Sequence, residues 1–336
     1  MKLTKLLLGA GALALLAGTA SAADLACLIT KNNTNPFFVK MKEGAEAAAT
    51  AAGLDFQAYA GEKDGDAAPQ ITAIENCVAA GAKGILITPS NDSVGPALKD
   101  ARAAGILVIA LDTPLADTEA QDITFATDNF EAGVLIGKWA AATMGEGAAT
   151  AKIAMLDINK DNISVDVQRN TGFLTGFGIE VPDLTVLASE TDPRVIGHET
   201  SDANPEGGLR AMETLLAKDP DINVVYTINE PAAEGAYQAL KNAGKEGQAI
   251  IVSVDGGCPG VASVKSGVIG ATSQQYPLLM ASKGIEAIVA YAKDGTKPTV
   301  TEGLSFFNTG VNLVTDKPVD GVPSIDTTKG TELCWG

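Results

Sequence analysis

Carboxylates, amides and a lone guanidinium recur in this sequence where apolar segments of strand length end. Leu25–Thr30 is followed by Lys31-Asn32-Asn33-Thr34-Asn35-Pro36-Phe37-Phe38, Gly84–Ile87 by Thr88-Pro89, and Leu107–Leu111 by Asp112-Thr113. In the second half Val224–Ile228 runs into Asn229-Glu230, and Ile250–Val254 into Asp255-Gly256-Gly257. This set suits the recognition of hydroxyl groups. A sugar hydroxyl donates and accepts; Asp takes its proton, while Asn and Gln do both. Charge-assisted bonds exceed neutral ones in strength, which favours Asp and Arg in a closed polar site. The apolar face of a sugar ring needs an aromatic surface, which Phe37 or Phe38 beside Asn35 would supply. Arg169, in Asp166-Val167-Gln168-Arg169 at an expected helix start, carries a fork able to grip two ligand oxygens. Taken singly, an Asp before Gly is a turn, a Phe at a helix start is core, and Arg169 is a surface ion pair. Their joint placement is what argues for a site.

The segments between these strands are Ala-rich with helical spacing. Phe38, Met41, Ala45, Ala48 and Ala52 share one helix face, and Gly53, Gly81 and Gly105 stand where a helix closes before the next strand. Continuous apolar strands alternating with helices imply parallel sheets covered on both faces, hence an α/β class. In such sheets ligands bind beyond the carboxyl ends of the strands, where the polar residues fall. The alternation pauses at Phe125–Asn129 and again after Ser273, at Gln274-Gln275-Tyr276-Pro277. A late helix and strands returning to the first half would give two or three crossings, and so a hinge rather than a loose linker.

Lys2 and Lys5, the apolar run Leu6–Leu16, and Ala20 and Ala22 in an A-x-A arrangement predict a signal peptide over residues 1–22 and an exported, periplasmic protein. The remaining roughly 310 residues exceed the size at which one core stops growing, so two lobes are expected. A formal charge of −17 repels phosphate backbones and argues against nucleic acid as a partner. Four cysteines in an oxidising compartment predict disulfides. Three pairings are open, and pairing within the early set, Cys27 and Cys77, and within the late set, Cys258 and Cys334, is expected. Neither a Walker loop, a G-x-S-x-G nor an H-E-x-x-H motif occurs. The single histidine, His198, lies in a polar stretch and reads as a surface residue. Neither a cofactor nor a metal is expected.

Asn35-Pro36-Phe37-Phe38, Leu111-Asp112-Thr113-Pro114, Ala126-Thr127-Asp128-Asn129, Arg169 with Gly172-Phe173, Asn229-Glu230, Val254-Asp255-Gly256 and Gln275-Tyr276-Pro277 follow one another in this order. Together they resemble the ribose/galactose-type periplasmic sugar-binding proteins of ABC importers across nearly the whole mature chain. The opening Cys27-Leu28-Ile29-Thr30-Lys31, the segment Ser253–Gly260 and the ending Cys334-Trp335-Gly336 look most like the fructose-binding members. The resemblance implies a type I periplasmic binding protein: two Rossmann-like lobes, 23–127 with 276–308 and 128–275 with 309–336, joined by a multi-strand hinge. It further implies Lys31, Asn35, Phe37, Phe38 and Asp112 as ligand contacts from the first lobe, and Arg169, Asn229 and Asp255 from the second. Gln275 would sit at a hinge crossing. Thr88 stands where ribose binders use asparagine, and no aromatic near Asp202-Ala203-Asn204 matches the one that closes a ribose pocket. A less crowded pocket there admits a hexose.

The reading these residues support is a monomeric, non-catalytic receptor that closes on a monosaccharide, fructose first, with mannose or ribose as lesser ligands. It would deliver that sugar to an inner-membrane ABC permease. Receptors for another sugar or small polyol, a chemotaxis co-receptor and an envelope carbohydrate enzyme are the alternatives. A transcriptional repressor shares the fold but needs a basic DNA-binding segment where the signal peptide stands.

Overall fold

The structure, a computed structural model, describes residues 23–336. The expected signal peptide lies outside the described residues.

Strand β1 (Leu25–Thr30) leads into helix α1 (Pro36–Ala52), then β2 (Asp55–Ala60), α2 (Ala68–Ala79), β3 (Gly84–Ile87), α3 (Gly95–Ala103), β4 (Leu107–Leu111) and β5 (Ile123–Ala126). A late two-residue strand, β11 (Phe307–Asn308), completes this sheet in the order β11-β5-β4-β3-β1-β2, all parallel. The second sheet is built from β6 (Ile153–Asp157), β7 (Val195–Thr200), β8 (Val224–Thr227), β9 (Ile250–Asp255), β10 (Ala271–Gln274) and β12 (Asn312–Val314). Its order is β12-β10-β9-β8-β6-β7, parallel except for β12 against β10. Helices α4 (Asn129–Met144), α5 (Ser164–Phe177), α6 (Pro205–Lys218), α7 (Glu230–Asn242), α8 (Cys258–Ser266) and α10 (Thr327–Leu333) flank it, whereas α9 (Pro277–Asp294) packs on α1. Each sheet is sandwiched between two apolar clusters. The burial of every residue of β3 and β4 follows from that double covering.

The chain passes between the sheets three times: from β5 to α4, from β10 to α9, and from β11 to β12. Two α/β lobes on parallel sheets, joined through several strands, agree with the expected class. Among the described residues no helix is long and apolar enough to cross a membrane.

Two close approaches fix the frame around the site. Helices α4 and α5 meet through Gly133 and Gly172, where an added Cβ would strike the carbonyl oxygens of Arg169 and Phe130. That contact brings Arg169 beside the start of α4. In the first lobe a disulfide joins Cys27 of β1 to Cys77 of α2, both fully buried. A second joins Cys258, the first residue of α8, to Cys334. Both pairs fall within the early and late sets, as expected. The first bridge closes a 50-residue separation, so replacing both its cysteines with alanine should lower the unfolding free energy by about 2–5 kcal/mol. Thermal melts of the variant and of the oxidised parent measure this directly, and an unchanged melting temperature would deny the bridge a stabilising role.

Candidate functional site

Arg169 is the centre of the site. It lies in the first half of α5, which starts at Ser164 and so begins earlier than the helix expected from the sequence. Its side chain is only 6% exposed. Nε donates to Asn129 Oδ1 at 2.8 Å and Nη1 to the Ile228 carbonyl at 3.1 Å, which together set the plane of the guanidinium. From there the fork faces a carboxylate of each lobe: Asp255 Oδ1 lies 3.7 Å from Nη1 and Asp112 Oδ1 lies 3.8 Å from Nη2. Far from being a surface pair, the group is a buried cation between two buried carboxyl groups.

Both carboxylates stand at strand ends on unusual backbone. Asp112 has φ +64° and Asp255 φ +141°, a region that side chains seldom adopt and that functional sites tolerate when their surroundings hold it. Asp112 Oδ2 accepts from Thr113 Oγ1 at 2.9 Å, while its buried Oδ1 has no hydrogen-bond partner. Asp255 Oδ1 accepts from Gln275 Nε2 at 2.7 Å, and Gln275 Oε1 in turn accepts from Thr127 Oγ1 at 3.3 Å. Gln275 thus joins two of the inter-lobe passages. Burial drives the Asp255 carboxyl up to about 7; Arg169 and the Gln275 bond pull it down, and the Asp112 charge adds to the rise. The turn after Asp255 is braced by Glu230, which accepts from the Gly256 and Gly257 amides at 2.8 and 3.0 Å and from Thr272 Oγ1 at 2.7 Å.

Asn35 and Asn229 each cap a helix. Asn35 Oδ1 accepts from the Phe37 amide at 3.0 Å at the start of α1, and Asn229 Oδ1 from the Ala232 amide at 3.1 Å at the start of α7. This is the ordinary reason for asparagine at these positions, and it leaves the amide NH2 of each for further use. The Asn229 amide donates to the Ala203 carbonyl at 3.1 Å. Phe37 and Phe38 are both buried, edge to face, with ring centres 5.4 Å apart. Behind Phe37 stands Trp335, 5.5 Å centre to centre, whose Nε1 donates to the Gln275 carbonyl at 2.7 Å. The tail carrying Trp335 is held to α8 by the Cys258–Cys334 bridge and by the Cys258 amide on the Trp335 carbonyl at 2.8 Å. Lys31 is buried, and its amide donates to Thr88 Oγ1 at 3.1 Å.

Lys31, Asn35, Phe37, Phe38, Asp112, Arg169, Asn229, Asp255 and Gln275 all line one cleft between the lobes, with about 380 Å³ of space partly open to solvent. Five further residues line it: Asp64, Ile158, Val165, Ala203 and Ile228. Four of these are apolar, and a search for polar residues at strand ends passes over them. Asp64 follows β2, a strand whose polar residues concealed it.

His198 is not the surface residue expected from its polar neighbours. It sits on β7, partly buried, with Nδ1 2.7 Å from Asp157 Oδ2 and Nε2 2.8 Å from Glu190 Oε1. Burial opposes its charge, but the two carboxylates outweigh that and raise its pKa to about 10. Asp157 Oδ1 also accepts from Asn170, the neighbour of Arg169, at 2.7 Å. The cluster therefore ties α5 to the edge of the second sheet.

Comparison with known proteins finds relatives across nearly the whole described chain. The ribose import binding protein of Escherichia coli (strain K12) is 30% identical over 286 residues, 85% of this chain and 90% of that protein. The D-allose-binding periplasmic protein of the same organism is 27% identical over 290 residues, 84% of this chain and 88% of that one. An ABC transporter solute-binding protein from Agrobacterium vitis, solved with bound D-fucose, superposes with a TM-score of 0.75 at 25% identity. That superposition covers 93% of this chain and 100% of the other. The family model of the periplasmic binding protein domain matches residues 26–297. This chain belongs to that family of periplasmic binding proteins.

Proposed function

We propose that this protein is the periplasmic receptor for a ketohexose, D-fructose, which it hands to the permease of an ABC importer, acting as a monomer after export on its signal peptide. The observation that carries the reading is the Asp112–Arg169–Asp255 row. Two carboxyl groups from opposite lobes meet one cation in the cleft between them. A sugar hydroxyl at Asp112 Oδ1 would satisfy the one oxygen of that carboxylate without a hydrogen bond. Phe37 and Phe38 offer the apolar face that a sugar ring needs, while Asn35, Asn229 and Gln275 supply amides. Each lobe contributes half the contacts, so the ligand stabilises the closed state by bridging both.

The preference for a hexose follows from the far wall. Ala203 and Ile158 line it, and among the described residues no aromatic side chain lines the space beside Asp202-Ala203-Asn204. The relatives named for ribose and D-allose, and the solved neighbour holding D-fucose, support a monosaccharide as the ligand.

A thermal-shift panel of monosaccharides tests the reading. A ligand present at 100 times its dissociation constant should add about 2.7 kcal/mol to the unfolding free energy. D-Fructose is expected to give the largest shift. A larger shift from an aldose would overturn the fructose assignment, and no shift from any monosaccharide would overturn the sugar assignment itself.

A further inference from the structure

The strand orders set the two walls of the cleft in register from hinge to rim. On the first lobe the strand ends carry, in spatial order, Asp112 after β4, Thr88 after β3, Lys31 after β1, and Asp64 in the loop after the edge strand β2. On the second they carry Gln275 after β10, Asp255 closing β9, Asn229 after β8, Ile158 after β6, and Ala203 after the edge strand β7. Near the hinge both walls are charged and hydrogen-bonding. At the rim the second lobe offers Ile158 and Ala203, so polar recognition there falls to Lys31 and Asp64.

Those two side chains are left with unmet capacity. Asp64 Oδ1 is buried without a hydrogen-bond partner. Lys31 is 3% exposed as a residue, and among the described residues its ammonium makes neither a hydrogen bond nor an ion pair, though unlike Asp64 Oδ1 it is not sealed from solvent. A buried charge is expensive unless it is paired and hydrogen-bonded, so unmet groups facing a cleft point to a ligand that meets them. Asp64 also lines the outer mouth, opposite Asp202 and Glu206, which places it where a longer ligand would extend. Burial raises the Asp64 carboxyl, and Lys31 offsets part of that rise, so the two are electrostatically in touch.

We infer that Asp64, with Lys31, is the specificity-determining pair for the rim end of the ligand, and that it makes the cleft prefer a six-carbon to a five-carbon sugar. The Asp112–Arg169–Asp255 row grips the hinge end of either. At the rim a hexose presents a hydroxyl that a pentose lacks, and the Asp64 carboxylate accepts a hydrogen bond from it while Lys31 donates one to its oxygen. The inference rests on the sugar reading above.

Calorimetric titration with D-fructose, D-allose and D-ribose tests it on the wild type, Asp64→Ala, Asp64→Asn and Asp112→Ala. Asp64→Ala should weaken the tighter-binding hexose at least tenfold and leave D-ribose within twofold. Asp64→Asn should fall between, and Asp112→Ala should weaken all three sugars. The unliganded melting temperature of Asp64→Ala should not fall, because the change removes a carboxylate oxygen that the fold leaves unsatisfied. Equal weakening of hexose and pentose, or no weakening, overturns the inference and leaves the sugar reading standing. So does a wild type that binds D-ribose as tightly as either hexose. A wild type that binds none of the three overturns both the inference and the fructose assignment.

Discussion

Arg169→Ala is expected to lower monosaccharide affinity by about 10²–10³-fold, read by calorimetry, while the circular-dichroism spectrum keeps its α/β shape. Truncating one partner of a buried, hydrogen-bonded charge set leaves the others uncompensated, a loss of about 3–5 kcal/mol. Here the survivors are Asp112 and Asp255, two buried carboxylates facing each other across the lobes. Without the guanidinium between them, the closed state becomes harder to reach and the ligand loses its forked donor. Arg169→Lys keeps the charge but not the fork, nor the simultaneous bonds to Asn129 and Ile228, and should retain only part of the affinity. Binding by Arg169→Ala within threefold of the parent would mean that the row is scaffold, and the proposed site would have to move.

The second large effect concerns pH. The unliganded protein should be most stable near pH 5 and lose stability steadily toward pH 10. Asp255, Glu230 and His198 hold their protons in the folded chain up to about 7, 8 and 10 respectively. For Glu230 the leading cause is burial, reinforced by the Asp255 charge and opposed by its bonds to Thr272 and the two glycine amides. In all three the folded value lies above the unfolded one, so the folded state binds more protons and stability declines as pH rises. The carboxyl contributions are complete below about pH 4 and fade through pH 7 and 8; that of His198 is complete below about 6.5 and fades through 10. Glu190, pulled below its usual value by His198 despite burial, acts in the opposite direction, and only at pH below about 4.5. For His198 the linkage amounts to roughly 4–5 kcal/mol. His198→Asn should therefore lower the melting temperature at pH 6 and flatten the decline above pH 7. A parallel alkaline decline in both proteins would mean that other groups govern it.

The strands that sequence made plain are those buried on both faces. β1, β3, β4, β6, β8 and β9 are short, continuous apolar runs such as Gly-Ile-Leu-Ile, of strand length and set between helical stretches. Two of the four edge strands, those farthest from the hinge, were not legible. β2 reads Asp-Phe-Gln-Ala-Tyr-Ala and β7 reads Val-Ile-Gly-His-Glu-Thr; each lies at a sheet edge, and neither is fully buried along its length. An edge strand does not need a continuous apolar sequence, and its end residue is overlooked along with it. That is how Asp64 escaped, and why His198 read as a surface residue. The polar residues that line the cleft were found because strand ends converge there whatever the ligand. The apolar wall of Ile158, Val165, Ala203 and Ile228 carries no such mark, since these residues look like any other core. The partners that orient Arg169 were hidden for a different reason. Asn129 is 40 residues away in the chain and Ile228 is 59, and only the glycine contact between α4 and α5 brings the first of them within reach.

The sequence has two tryptophans, and they occupy very different places. Trp139 is sealed in the core of the second lobe, with Nε1 on the Lys317 carbonyl at 2.8 Å. Trp335 is covalently tethered to the second lobe through the Cys258–Cys334 bridge, yet its ring rests on Phe37 of the first. Parting the lobes would carry Phe37 away and wet the Trp335 indole while leaving Trp139 unchanged. The protein thus contains a native optical gauge: one constant emitter, and one whose spectrum follows the angle between the lobes. Opening and closing become measurable in real time by intrinsic fluorescence, on unlabelled protein, at the concentrations where a transport receptor works.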